Sequence, residues 1–551
     1  MAADGSSALA DADEPAAPRL GLGAALAVFG VLAVLRLLAG DFRYFFEEDD
    51  MSLANGIAAI LQGEPGYYLY RYVPQIGYYR LMAFLTDVVG GVAVVPHVMV
   101  ASSAIAGAAI PAATLLAFRR QLPDHVRLLA AAIVTCTPAL WIASQYGNTA
   151  VVASAFTVLG LVMLSNRPGT LGTAIALTLC AVGVLVRADA VLMAPVVALL
   201  VFRAARTPRQ ALLTLAIGAV AFVALWFTLR AADPWTAVSA GGAVASHFQA
   251  SDLVSRFWEH MLWAFSPIPL IFALFGAEAL QRRDRDVFLT LAVWILPVFG
   301  FYYGAATTTR YFMLSVVPMG IFAACGVRAL ASRSGRRALA WPTALLALSL
   351  HLWVGLGHFR PADPRSVLTA PGYATDDGRM PTGALVYQGY HRDSGVLGPS
   401  LRRSAPWGAR QPIAVAMDSE LGRIDALSDD AGPARVVVLL DSWNAHVFHF
   451  HAFKAGAEFE GRDAGAMFLA PTHFSLNGRD IMTIGIPDGD FEALDRIAVE
   501  VGDEIWYVAP IEWELPETLA SKLPPQRSVG ATHSEADRQV RVYPIVEEGP
   551  R

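Results

Sequence analysis

The chain has 551 residues, of which 55% are hydrophobic and only 16% charged, well short of the roughly 25% charge of an ordinary soluble domain. A net charge of −6, with Lys454 and Lys522 the two lysines of the whole sequence, argues against nucleic acid as a main partner, because that binding rests on neutralising phosphates. The three cysteines (Cys136, Cys180, Cys325) all fall within apolar runs, where a thiol acts as a small hydrophobe, so neither a disulfide framework nor a cysteine-based zinc site is expected in the polar C-terminal part.

Residues 1–19 are polar and acidic and read as a disordered cytoplasmic N-terminus. The apolar run that follows is longer than the core of a cleaved signal peptide and lacks a basic leader, so it reads as a membrane anchor. Apolar runs recur as far as residue 359, and from 360 to 551 the composition returns to that of a water-soluble domain. With about 20 apolar residues needed per crossing, about eleven spans are expected: 20–39, 92–118, 128–143, 149–165, 170–186, 190–202, 211–230, 262–280, 287–303, 312–331 and 338–358.

Arginine placement orients them. Alternate loops carry Arg119, Arg120 and Arg127; Arg167; Arg203, Arg206 and Arg209; Arg282, Arg283 and Arg285; and Arg333, Arg336 and Arg337. By the positive-inside rule those loops and the N-terminus are cytoplasmic. An odd number of spans then leaves the C-terminal domain outside.

The first outer segment, 40–91, carries Glu47, Glu48, Asp49 and Asp50 directly after the first span. Acids crowded beside a low-dielectric surface repel one another, which raises the pKa of one and suits it to act as a base. The same four residues could instead form a solvated collar, or cap a helix starting near Met51. Met51–Leu61 has the apolar spacing of a helix lying flat in the interface. Beyond it come Tyr67, Tyr68, Tyr70, Arg71, Tyr72, Tyr78 and Tyr79, the tyrosines suited to a membrane–water boundary.

Further along, Gln145, Tyr146 and Asn148 form a short polar turn, able to hydrogen-bond a sugar or simply to connect two spans. Arg187 stands at an outer turn with Asp189, its simplest partner, two residues on. Arg310, beside Tyr311, sits at the outer end of the 312–331 span. Arginine grips phosphate with paired donors, although Arg310 could also merely snorkel. Segment 231–261 is the second large outer loop. In the C-terminal domain, Arg435–Asp441, Glu504–Ala509 and Ala384–Gln388 read as strands, Ser419–Leu427 and Asp490–Val499 as helices, and Gln539–Tyr543 as a late strand, giving a small α/β domain. His446, His449 and His451 are read on a strand, with no acid or cysteine nearby to complete a metal site.

The stretch from Glu48 through Gly63 to Tyr79 resembles the first external loop of the GT-C glycosyltransferase superfamily, which includes protein O-mannosyltransferases and the aminoarabinose transferase of lipid A modification. In that loop an acidic pair follows the first span, then a helix closed by a small or polar residue and glycine, then an aromatic loop. Glu48-Asp49, Gln62-Gly63 and Tyr67–Tyr79 match those parts. The resemblance implies a polytopic α-helical membrane protein with a C-terminal extracytoplasmic α/β domain. It further implies transfer of a sugar from a polyprenyl-phosphate donor to a glycolipid, cell-wall glycan or protein acceptor at the outer face of a bacterial inner membrane.

On that reading Asp49 is the base, Glu48 and Asp50 orient the acceptor or tune it, and Arg310, Arg187 and Tyr311 hold the donor phosphate. Gln145, Tyr146, Asn148, Tyr68 and Arg71 are the substrate contacts. The acids would suit magnesium or manganese, though relatives differ in metal use. A second acid that some relatives carry in the turn of Gln145 is missing here. A transporter or flippase, or a non-catalytic scaffold of the same fold, are the alternatives; charges gathered at one face rather than at mid-membrane, and the lack of an internal repeat, favour the enzyme.

Overall fold

The computed structural model describes residues 20–39, 48–63, 75–144, 146–205, 207–228, 250–265, 267–303, 309–333, 342, 344–346 and 348 of the helical region. In the C-terminal region it describes residues 359–361, 385–387, 435–459, 472–486, 504–510, 527–529, 533–534 and 540–547. The helices, in chain order, are α1 (Leu22–Ala39), α2 (Glu48–Leu61), α3 (Ile76–Val89), α4 (Val95–Thr114), α5 (Asp124–Thr135), α6 (Pro138–Ala143), α7 (Thr149–Ser165), α8 (Thr170–Val186), α9 (Ala194–Ala204), α10 (Pro208–Thr228), α11 (Ala250–Phe265), α12 (Pro267–Arg283), α13 (Arg285–Tyr303), α14 (Val316–Arg333) and α15 (Ser442–Lys454).

Val92–Thr114, Arg285–Tyr303 and Arg310–Ala331 are each long and apolar enough to cross a bilayer. On α1 the residues Leu22, Leu26, Val31, Val34, Leu35 and Leu38 point away from the protein, and on α10 so do Leu212, Leu213, Ile217 and Val220. Apolar side chains exposed in such rows need a hydrocarbon solvent.

Several expected spans are broken, each at a residue that chemistry explains. The run 128–143 is two helices, because Pro138 disfavours helical geometry at Thr137 and ends α5 at Thr135. The run 262–280 is also two: α11 already starts at Ala250, inside what the sequence suggested was outer loop, and Pro267 opens α12. The runs 190–202 and 312–331 each begin as a 3-10 turn, Ala188–Met193 and Thr309–Ser315. Most of 338–358 lies outside the described residues.

Segment 40–91 differs more. Helix α3 was not expected, and its Tyr78 and Tyr79 are fully buried rather than lodged at a water boundary. Nor is α2 a helix lying free on a membrane surface. Leu53 to Ala59 are buried throughout, and α3 and α15 pack over the helix. Gly56 permits this, since a Cβ there would collide with the Tyr79 ring.

The C-terminal region is built on a sheet of order β4-β5-β6-β3-β7-β10-β8, with β9 paired to β10. Strands β3 (Arg435–Asp441), β7 (Glu504–Pro510) and β10 (Val540–Glu547) match the expected strands, and β2 (Leu385–Tyr387), paired antiparallel with β1 (Phe359–Pro361), matches a fourth. The remaining strands are β4 (Glu458–Phe459), β5 (Thr472–Leu476), β6 (Arg479–Ile486), β8 (Arg527–Val529) and β9 (His533–Ser534). Strand β3 lies between β6 and β7, parallel to both. A strand covered on both faces wants a continuous apolar run, and Val436 to Leu439 are fully buried.

The expected helices 419–427 and 490–499 lie outside the described residues. The histidines do not lie on a strand: His446, His449 and His451 belong to α15. A parallel neighbour to β3 needs a crossover, and α15 begins it. His449 Nε2 shares a 2.5 Å hydrogen bond with Thr483 Oγ1, which accounts for its burial. One apolar cluster runs from the bundle through α2 into α15 and the sheet.

Candidate functional site

Helix α2 begins at Glu48, so the backbone of Glu48, Asp49 and Asp50 lies in its first turn, earlier than the start near Met51 that the sequence suggested. Acids in a first turn face the positive end of the helix dipole. Asp49 stands one turn before Leu53, and Leu53 lines a small open cleft with Gln75, Gly147, Asn148, Thr149, Arg187 and Arg310. The cleft therefore joins five parts of the chain that the sequence keeps apart: the acid-bearing helix, the start of α3, the turn ahead of α7, and the separate turns of Arg187 and Arg310.

Arg187 leaves the end of α8 in an extended conformation, at φ −157° and ψ 119°. Its Nε donates to Asp189 Oδ2 at 2.8 Å and its Nη1 to Thr149 Oγ1 at 3.1 Å. Burial alone would weaken its charge; the Asp189 carboxylate, helped by Tyr311 and Tyr302, outweighs that and raises its pKa. Arg187 is a fixed cation. The local pair with Asp189 and a place in the cleft are both present, so the two readings of this residue do not compete. The same Asp189 Oδ2 accepts a 2.5 Å hydrogen bond from the Tyr302 hydroxyl.

Tyr302 stacks on Tyr311 with centroids 5.0 Å apart and planes 26° from parallel. Tyr311 in turn carries the Arg187 guanidinium 4.7 Å from its ring centroid and that of Arg310 at 5.6 Å. Two guanidinium groups thus share one aromatic platform, and cation–π contact orients both. Arg310 is half-buried in the cleft wall and does not simply snorkel to water.

Asn148 lines the cleft, but its side chain is engaged. Its Oδ1 accepts from the backbone N–H groups of Ala150 (2.8 Å) and Val151 (3.3 Å), capping α7, and its Nδ2 donates to the Tyr146 hydroxyl at 2.8 Å. Its backbone N–H donates to Ser103 Oγ at 2.9 Å. Tyr146 is buried behind it. Both residues shape the turn more directly than they present groups to a ligand. The turn is held from below by Arg36 of α1, fully buried, which donates to Ser144 Oγ and to the Leu140 carbonyl (3.2 Å) and lies 4.8 Å from the Trp141 ring.

Gln145, Tyr68 and Arg71 lie outside the described residues, and of Glu48, Asp49 and Asp50 the helical backbone alone is described. Tyr302, Gln75, Gly147 and Thr149 were not read from the sequence. Each is ordinary in its local context, and only the packing of distant helices gathers them. No group of histidine, cysteine and acidic side chains suited to a metal occurs among the described residues.

No protein-family profile matches the chain, and no curated protein does so either. Solved structures do. ArnT from Cupriavidus metallidurans in the apo state superposes with a TM-score of 0.57 at 15% identity, over 96% of this chain and 99% of that one. ArnT from the same organism bound to undecaprenyl phosphate superposes with a TM-score of 0.54 at 12% identity, over 94% and 97%. The likeness spans both the helical region and the C-terminal sheet, so the fold is that of the ArnT structures.

Proposed function

We propose that this chain is a membrane glycosyltransferase that moves a sugar from a polyprenyl-phosphate donor to an acceptor hydroxyl at the outer face of the bacterial inner membrane. The observation that carries the reading is a cleft that gathers Arg187 and Arg310 with Leu53, one turn along the acid-bearing helix α2 from Asp49, in a fold whose ArnT representative is seen bound to undecaprenyl phosphate.

In the proposed reaction Asp49 takes the proton of the acceptor hydroxyl as its oxygen forms a bond to the anomeric carbon. The bond from that carbon to the phosphate oxygen breaks on the opposite side, so the configuration inverts, and the electron pair leaves with the polyprenyl phosphate. The phosphate gains negative charge in that step, and Arg310 and Arg187, pre-oriented on Tyr311, are suited to stabilise it. Glu48 and Asp50 would orient the acceptor. Glycolipid, cell-wall glycan and protein acceptors all present the hydroxyl this chemistry needs. The C-terminal region, packed on α2 through α15, would roof the cleft on the outer side.

The test is lipid and glycan mass profiling of cells carrying the intact protein, Asp49→Asn, or none. A general base contributes about 10²–10⁴-fold in rate. Asp49→Asn should therefore insert at normal levels yet reproduce the mass losses of the null strain. A glycan and lipid profile that is the same in all three strains would remove the proposal, and uptake of a solute into sealed vesicles would put transport in its place.

A further inference from the structure

Among the polar groups that line the cleft, Gln75 is in a different chemical position from the rest. Asn148 is occupied by its cap and by Tyr146, and Thr149 accepts from Arg187. The guanidinium groups of Arg187 and Arg310 are donors without acceptor capacity. The side-chain oxygen of Gln75 is buried and accepts no hydrogen bond from any described residue. Gln75 precedes α3 directly but makes no side-chain cap to it, so its amide is not consumed by the helix it introduces.

The residue is also held firmly in place. Two positions on, Gly77 lies so close to α8 that a Cβ would stand 2.5 Å from the Leu185 carbonyl carbon and 2.6 Å from its oxygen. The start of α3 is thereby pressed onto the end of α8, which puts Gln75 beside Arg187 in the cleft wall. A buried carbonyl oxygen left unmade costs about 1–3 kcal/mol, and it persists where a ligand supplies the donor.

We infer that Gln75 is a sugar-specificity residue: its amide oxygen accepts a hydrogen bond from a hydroxyl or amino group on the transferred sugar, next to the phosphate that the arginines hold. This deepens the glycosyltransferase reading and rests on it. The division of labour is chemical, with the two cations recognising the phosphate that every polyprenyl-phosphate donor shares and Gln75 recognising the sugar that differs.

The experiment measures binding to the full-length protein in detergent, using undecaprenyl phosphate alone and the same lipid carrying glucose, galactose, mannose or arabinose. Wild-type protein should bind one sugar-bearing lipid more tightly than the bare lipid. Gln75→Met, close in volume but without the acceptor, should weaken that lipid about 10-fold and leave bare-lipid affinity within about twofold, which also reports that the variant is folded. Arg310→Gln should weaken all the lipids together. An unchanged ratio of sugar-bearing to bare-lipid affinity in Gln75→Met would overturn the inference while leaving the donor-phosphate reading standing. Failure of the wild type to bind any of the lipids would overturn both.

Discussion

Arg187 illustrates how a side chain becomes a fixed charge without becoming inert. Asp189 takes its Nε, Thr149 takes one Nη1 proton, and Tyr311 backs its plane, which leaves the remaining N–H groups for the cleft. Tyr302 secures Asp189 from the other side. Removing that one hydroxyl in Tyr302→Phe should cost about 0.5–1.5 kcal/mol of positioning, read as a fall in turnover of up to about 10-fold. Asp189→Asn removes the carboxylate itself and should cost more, with the donor KM rising as Arg187 loses its orientation. Equal activity in both variants and the wild type would mean that the network is structural decoration. The arginines were legible from the sequence because a cation at the end of an apolar span is conspicuous. Tyr302 and Gln75 were not, because a tyrosine ending an apolar helix and a glutamine before a helix are both commonplace. What distinguishes them is a partner, or the lack of one, supplied from more than a hundred residues away.

At the scale of whole elements, close approach is the governing fact. Helices α12 and α14 cross with Gly276 and Gly326 face to face. A Cβ on the first would run into the Phe322 carbonyl, and one on the second into the Phe272 carbonyl. Without a hydrophobic drive between helices in lipid, such small-residue crossings supply the packing that holds a bundle together. Gly276→Ala should therefore destabilise the detergent-purified protein by about 1–3 kcal/mol, seen as a lower thermal midpoint, and Gly276→Leu should abolish monodisperse protein. If Gly276→Leu were as stable as wild type, this crossing would not be part of the native bundle. The same scale explains where the sequence misled. His449-Phe450-His451 alternates as a strand does, but the chain has just completed β3 and needs a helical crossover to set β6 parallel to it. Topology overrode local propensity. The first outer segment misled for a related reason: its tyrosines read as interfacial by type, yet Tyr79 serves as the ring against which Gly56 of α2 packs, and that contact joins two helices that no periodicity pairs.

For the molecule as a whole, sidedness decides whether the cleft can do the chemistry assigned to it. Helix α15 packs on α2, and Gln62 Nε2 at the end of α2 donates to the Phe453 carbonyl at 2.9 Å, so the C-terminal region and the cleft share one side of the bundle. We propose from the arginine alternation along the sequence that this side is the exterior, which the helix packing by itself does not decide. It is tested with single cysteines in a background where Cys136, Cys180 and Cys325 are replaced. Lys454→Cys, on an exposed position of α15, should react with a membrane-impermeant maleimide in cells whose outer membrane has been permeabilised but whose inner membrane is intact. Arg120→Cys, exposed in the loop between α4 and α5, should react only after the inner membrane is opened. The reverse pattern would put the cleft in the cytoplasm, where nucleotide-activated sugars are at hand and a lipid-linked donor would be an unneeded detour. The glycosyltransferase reading in its present form would then fail, however closely Arg187 and Arg310 are gathered on Tyr311.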